Sequence, residues 1–136
     1  MSLEENKAVV RRYFEEAMNK QNLALINEIF SADFINHSPR MATIGREETS
    51  QDWARFFVAF PDWQTVIEDI IAEDDRVVVR RTVHGTHRGE IPGISMPPTG
   101  KRVTFTVWDL FRIAGGKIVE RWGMHDLRQQ LGAITG

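Results

Sequence analysis

The stretch from residue 102 to residue 126 constrains the fold of this chain more than any other part of it. Two runs rich in β-branched and aromatic residues flank a short turn that contains Gly115 and Gly116. Such runs are typical of strands, and glycine supplies the positive φ angles that a tight turn between two strands needs. The stretch therefore predicts a β-hairpin.

An aspartate, Asp109, lies inside the first strand of this hairpin and on its more apolar face. Alternation along a strand groups it with Phe105, Val107 and Phe111. Burying an unpaired carboxylate costs on the order of a few kcal/mol, so Asp109 must line a cavity, reach water or have a partner. Two interpretations follow. Asp109 is a general base whose pKa is raised by desolvation, or it is a structural acid paired with Arg121 across the hairpin.

Length and composition limit the other possibilities. The chain has 136 residues, which is enough for one domain with one core. Its 17 basic and 19 acidic residues give a net charge of −2 with no long run of either sign, so nucleic-acid binding gains no support. There is no cysteine, and hence no disulfide or thiol nucleophile. No apolar stretch is long enough to span a membrane and the N-terminus is not signal-like, so we expect a cytoplasmic location.

Helical periodicity dominates the first half of the chain and strand-like alternation the second half. In chain order, the predicted elements are helices over residues 2–19, 23–30 and 47–60, a short strand or turn over 33–39, strands over 63–72 and 76–86, a Gly- and Pro-rich connection over 87–101, the hairpin, and a final helical turn over 127–131. Helices followed by antiparallel strands indicate an α+β domain.

Several motifs along the chain resemble those of a known family. They are N-K-A-V-V-R-R-Y-F, D-F-I-N-H, A-F-P-D-W, I-A-E-D-D-R-V-V-V-R-R-T-V-H-G-T-H-R-G, M-P-P-T-G-K-R-V-T-F and F-R-I-A-G-G-K-I-V-E-R-W. Together they resemble the SnoaL-like polyketide cyclases, within the cone-shaped superfold of nuclear transport factor two and steroid isomerase. The resemblance implies a single domain over residues 1–136. Its fold would be a strongly curved antiparallel sheet wrapped around three N-terminal helices, with a pocket inside the cone.

The resemblance also implies a reaction. The cyclases in question close a ring by intramolecular aldol condensation of a polyketide ester, without metal or cofactor. Their acid/base is an aspartate on the last strand, at a position that is Gly123 here, and a histidine on the preceding strand corresponds to Asp109. The sequence therefore departs from the family at both catalytic positions and keeps a carboxylate on the neighbouring strand.

These observations predict a cofactor-free acid/base enzyme, a cyclase or isomerase, that acts on a small apolar carbonyl compound. Asp109 would be the base and His125 would act as an acid or steady the enolate oxygen. On this hypothesis Asp109→Asn abolishes turnover and leaves stability unchanged or raised. The alternatives are a binding protein without turnover, which a lock between Asp109 and Arg121 would favour, and a hydratase or hydrolase using a water activated by Asp109.

The remaining predicted pocket residues are a polar pair and a set of apolar walls. The predicted substrate-binding residues are Asn36, His37, Trp53, Phe57, Trp63, Phe105, Val107 and Arg121. For the Asn-His pair the alternative is turn chemistry before a proline, and for most of the aromatic residues it is core packing. Arg80 and Arg81 are neighbours on a predicted strand, so only one of them can point inward.

The other face of the hairpin carries a second apolar group. Trp108 and Leu110 lie opposite to Asp109 by alternation, and Trp122 joins them. An apolar patch of this size on an open sheet is large for a monomer and favours a two-fold dimer. We therefore expect a homodimer through the outer sheet face. The alternative is a monomer in which the 89–101 connection covers the tryptophans.

Overall fold

The computed structural model describes residues 2–37, 44–91 and 96–125 of the chain. Its helical elements are α1 (Leu3–Arg12), a π-helical extension of it (Tyr13–Met18), a 3-10 turn (Leu23–Leu25), α2 (Ile26–Ile29) and α3 (Arg46–Ala59). Its strands are β1 (Phe30–His37), β2 (Gln64–Glu73), β3 (Arg76–Thr86), β4 (Arg102–Ala114) and β5 (Lys117–His125). The helical turn predicted over residues 127–131 lies outside the described residues.

The first helix begins at a capping box. Ser2 Oγ accepts from the Glu5 backbone N–H, and the Glu5 carboxylate accepts from the Ser2 N–H, both at 3.0 Å. These reciprocal bonds satisfy two of the N–H groups that the start of a helix leaves without intrahelical partners. Beyond Arg12 the backbone widens to a π-helix, which carries Tyr13 and Phe14 into the core.

The five strands form one sheet in the order β1-β5-β4-β3-β2. The predicted hairpin is confirmed: β4 and β5 pair antiparallel, and Gly115 and Gly116 take positive φ angles of 57° and 78° in the turn between them. The outermost pairing differs from the prediction. β1 runs parallel to β5, so the sheet is mixed; these strands lie far apart in the chain, and no hairpin joins them to fix an antiparallel direction.

The helices cover the inner face of this curved sheet, and the core lies between them. Along β4, and along β3 as far as Gly85, buried inward residues alternate with half-exposed or exposed ones. Large side chains without solvent exposure fill the interior, among them Phe14, Phe30, Phe60 and Phe111. The predicted α+β cone is thereby confirmed. None of the helices in the described ranges is long and apolar enough to cross a membrane.

The outer face of the sheet stays open. Trp108 is 51% exposed, so the described parts of the 89–101 connection, residues 89–91 and 96–101, do not cover it as the monomer alternative required. Four more large apolar side chains on the outward positions of the strands are exposed, namely Ile35, Val66, Ile71 and Met124.

Candidate functional site

Asp109 is held between two arginines on the inner face of the sheet. Its direct neighbours across the strands are Val79 on β3 and Gly123 on β5. Arg81 on β3 and Arg121 on β5 are each the next inward-facing residue along the strand from these neighbours, so they approach Asp109 from opposite sides. Arg81 Nε donates to Asp109 Oδ2 at 2.7 Å, and Arg121 donates to Oδ1 from Nε at 2.9 Å and from Nη2 at 2.6 Å. Both carboxylate oxygens are therefore occupied.

The surroundings of Asp109 decide its protonation. Its side chain has no solvent exposure, and Arg81 and Arg121 are only 3% and 15% exposed. Burial raises the pKa of the Asp109 carboxyl, but the two guanidinium groups outweigh burial and hold the pKa below its ordinary value of 3.8. The predicted rise in pKa is wrong. An ionised carboxylate with no free oxygen and no exposure is poorly suited to abstract a proton or to activate water.

Gly123 makes this arrangement possible. A Cβ built at Gly123 would overlap the guanidinium of Arg121, which lies across the glycine to reach Asp109. This is the position at which the resemblance implies the acid/base aspartate. In this chain the guanidinium of Arg121 occupies the space beside Gly123.

The two arginines extend the cluster in different directions. Arg121 Nη1 donates to Asn36 Oδ1 at 3.2 Å, and Asn36 is buried on the inner side of β1. Arg81 Nη1 donates to Thr65 Oγ1 at 3.3 Å, and its guanidinium lies 4.4 Å from the centre of the Phe14 ring. Cation–π contact of this kind lowers the cost of burying a guanidinium.

The predicted aromatic residues form one continuous wall beside the polar cluster. Trp53 contacts Phe57 and Trp63 at ring-centre distances of 5.7 and 5.0 Å, Trp63 contacts Phe105 at 5.8 Å, and Phe105 contacts His125 at 6.4 Å. The structure thus brings these five predicted residues together. A sixth, Val107, is buried directly between Arg81 and His125 in the sheet.

Two tryptophan N–H groups join the aromatic wall to the polar cluster. Trp63 Nε1 donates to Thr65 Oγ1 at 3.2 Å, the hydroxyl that also binds Arg81. Trp53 Nε1 donates to the hydroxyl of Tyr13 at 2.8 Å. Each indole N–H is therefore satisfied inside the protein, and each ring is held at a fixed angle.

Tyr13 is a site residue that the sequence did not reveal. Its place among the apolar residues at helical spacing in the helix predicted over residues 2–19 indicates core packing, and it is 2% exposed. Burial raises its pKa to about 12, although Arg121 and Arg81 oppose this. The phenol is thus neutral at neutral pH, and its oxygen accepts from Trp53 while its proton is donated to no other described residue.

His37 lies elsewhere than predicted. It stacks on Trp122 with ring centres 4.8 Å apart, and its Nε2 is 2.9 Å from a carboxylate oxygen of Glu120. Strand alternation sends Asn36 inward and His37 outward, so His37 is on the outer face and not at the pocket mouth.

The described residues contain no group of three or more histidine and acidic side chains able to hold a metal ion. A cavity of about 600 Å³ lies at the end of the sheet near the hairpin turn, lined in part by Asn6, Asp74 and Ile113. None of the predicted site residues lines it.

Comparison with known proteins gives the family. The model of the SnoaL-like polyketide cyclase family matches residues 8–134. None of the curated proteins compared with the chain matches it. Among solved structures, AclR of Streptomyces galilaeus, named as a candidate hydroxylase, is 32% identical over 98% of this chain and 87% of its own, with a TM-score of 0.85.

Two further structures carry cyclase names. IdmH of Streptomyces antibioticus, a candidate polyketide cyclase, is 26% identical over 96% of this chain and 99% of its own, with a TM-score of 0.83. A candidate SnoaL-like polyketide cyclase from Jannaschia sp. CCS1 is 27% identical over 98% of this chain and 93% of its own, with a TM-score of 0.87. With its fold and almost its whole length matched, this chain belongs to the SnoaL-like polyketide cyclase family.

Proposed function

We propose that this protein is a cofactor-free enzyme that removes a proton next to the carbonyl group of a small apolar compound, as a cyclase or isomerase does. The observation that carries this proposal is the fixed position of the Arg121 guanidinium, whose N–H donors form a fork. Asp109 and Asn36 accept hydrogen bonds from the Arg121 guanidinium, Gly123 leaves room for it, and Arg121 is the most exposed member of the buried charge cluster. A positive charge held in place in a site that largely excludes water stabilises a developing enolate oxygen.

The roles within the site differ from those expected from the sequence. Asp109 is a positioning residue, because both its oxygens fix arginines. Arg121 supplies the stabilising positive charge, and the neutral phenol of Tyr13 donates the hydrogen bond to the developing enolate oxygen. His125 becomes the proton acceptor, since it is the remaining predicted acid/base residue and lies on the same inward row as Val107. Histidine is well suited to accept and return a proton near neutral pH.

Binding without turnover is the second candidate, and one observation favours it. The carboxylate that the sequence offered as a base accepts three hydrogen bonds from arginines and cannot take a proton without losing them. If His125 is not a base, the site retains recognition alone. The hydratase or hydrolase alternative depended on a water at Asp109, and the occupied oxygens argue against it.

Hydrogen exchange at carbon separates these candidates. Acetophenone and 1-tetralone, incubated with the protein in D₂O, exchange the protons next to the carbonyl faster if the site abstracts them, and NMR follows the loss of signal. We expect acceleration by the wild type, loss of it in Arg121→Gln and His125→Gln, and retention in Arg112→Gln, whose side chain pairs with Glu120 on the outer face. Ketones that quench the fluorescence of Trp53 and Trp63 but exchange no faster would refute the enzyme and favour binding.

We also propose that the protein works as a homodimer through its outer sheet face. The exposed apolar residues there include Trp108 and Met124, at 51% and 72% exposure. The charges between them pair within the sheet, Arg80 with Asp69 at 2.7 Å and Arg112 with Glu120 at 2.8 Å. A second copy could therefore bury the apolar side chains without isolating these charges.

A further inference from the structure

We infer that the ligand of this site carries a carboxylate group, which the Arg121 fork binds. This inference deepens the proposed function, on which it rests, by naming the substrate class. It differs from the ester substrate that the family resemblance implies. Its basis is a charge imbalance inside the protein.

The buried cluster contains more positive than negative charge. Arg81 and Arg121 supply two positive charges and Asp109 one negative charge, so one positive charge remains. No other described carboxylate forms an ion pair with either arginine. A buried charge that lacks a partner is costly, and neutralising it stabilises the folded state. An anionic ligand supplies that partner, whereas a neutral ester does not.

The surplus is accessible at one of the two arginines. A guanidinium has five N–H donors, and within the described residues Arg121 uses three of them, two toward Asp109 and one toward Asn36. Arg121 is 15% exposed. Arg81 is 3% exposed, and the ring of Phe14 covers one face of its guanidinium group. The anion must therefore meet the remaining N–H groups of Arg121.

The residues of the site favour a ligand whose carboxylate is attached to an aromatic ring or another flat group. The wall formed by Trp53, Phe57, Trp63 and Phe105 suits an apolar ring, and the fork of a guanidinium matches the two oxygens of a carboxylate. The Tyr13 hydroxyl, which has a proton to donate, adds a second hydrogen bond for an oxygen near Trp53.

A matched acid and ester test this directly. The probes are 2-naphthoate and methyl 2-naphthoate, which share a ring and differ in charge, with binding measured by calorimetry at pH 7.5. We expect the wild type to bind the acid at least about tenfold more tightly, and 2-naphthyl phosphate more weakly than the acid. Equal affinity for acid and ester overturns the inference, and tighter binding of the phosphate overturns its assignment to carboxylates.

Variants locate the charge that is responsible. Arg121→Gln should reduce the preference for the acid to near one, and Arg80→Gln, the outward neighbour of Arg81, should retain it. If Arg121→Gln does not fold, Arg121→Lys provides the test, because it keeps the charge but loses the fork. We expect it to keep a preference for the acid with weaker binding, and an unchanged affinity in this variant also overturns the inference. The exchange assay uses neutral ketones, so either proposal can fail without the other.

Discussion

Replacing Asp109 by asparagine should destabilise the protein strongly. The amide keeps the shape of the side chain but removes the negative charge that pairs with both Arg81 and Arg121, and its NH₂ group faces an arginine donor. Removing one partner of a buried ion pair typically costs about 3–5 kcal/mol. Because the Arg121 side chain is 15% exposed and can recover some hydration, we expect a loss of about 3 kcal/mol, the lower end of that range.

Urea denaturation at pH 7 measures this loss, and the chain provides a matched control. Asp69 pairs with Arg80 on the outer face at the same 2.7 Å distance, but both side chains are substantially exposed. Asp69→Asn should therefore cost less than about 1 kcal/mol. The double variant Asp109→Asn with Arg121→Gln should recover part of the stability, since it removes one unpaired cation. An Asp109→Asn protein as stable as the wild type, which the sequence alone predicted, would refute the account of the cluster.

Three other outcomes follow from the structure. Gly123→Ala should lower the free energy of unfolding by about 1–3 kcal/mol through the clash with Arg121. Urea denaturation should show a smaller loss when Arg121 is also replaced by alanine, and an equal loss in both backgrounds would exclude the clash. Burial raises the pKa of Tyr13 to about 12 from 10.0, so the folded protein holds the phenol proton more tightly, and stability present below pH 10 is lost as the pH rises towards 12. Tyr13→Phe should remove that part of the alkaline loss in denaturation curves, and an identical loss in this variant would show that Tyr13 does not cause it. Sedimentation at micromolar concentration should give a dimer for the wild type and a monomer for Trp108→Lys combined with Trp122→Lys; a monomeric wild type would exclude the dimer.

Most elements of the fold could be predicted because their sequence signals were local and agreed with one another. The glycines of the hairpin turn, the capping box at Ser2 and the alternation along β3 each specify their element from neighbouring residues. The parallel pairing of β1 with β5 was not local. It depends on how the helices return the chain to the sheet, and no short-range pattern records that.

The sequence predicted which residues form the candidate site better than it predicted their chemical roles. Strand parity placed Asp109 and Arg121 on one face, and the same parity could have placed Arg81 there, since it alternates with the inward valines of β3. The alternation of side chains along a strand cannot predict whether burial or the two guanidinium groups have the larger effect on Asp109. That balance decides whether the pKa of Asp109 is raised or lowered. Tyr13 was hidden because its ring packs as a core residue and only its hydroxyl belongs to the site.

The pKa of Asp109 decides whether this carboxyl group is a permanently ionised anchor for two arginines or the base of the reaction. In protein labelled with ¹³C at the aspartate side chain, the Asp109 Cγ resonance can be assigned by its loss in Asp109→Asn and followed from pH 8 downward. The account predicts no titration above the ordinary value of 3.8, because Arg81 and Arg121 hold the pKa below it. A titration with its midpoint above about 5, the range expected of a desolvated carboxyl acting as a general base, would contradict it.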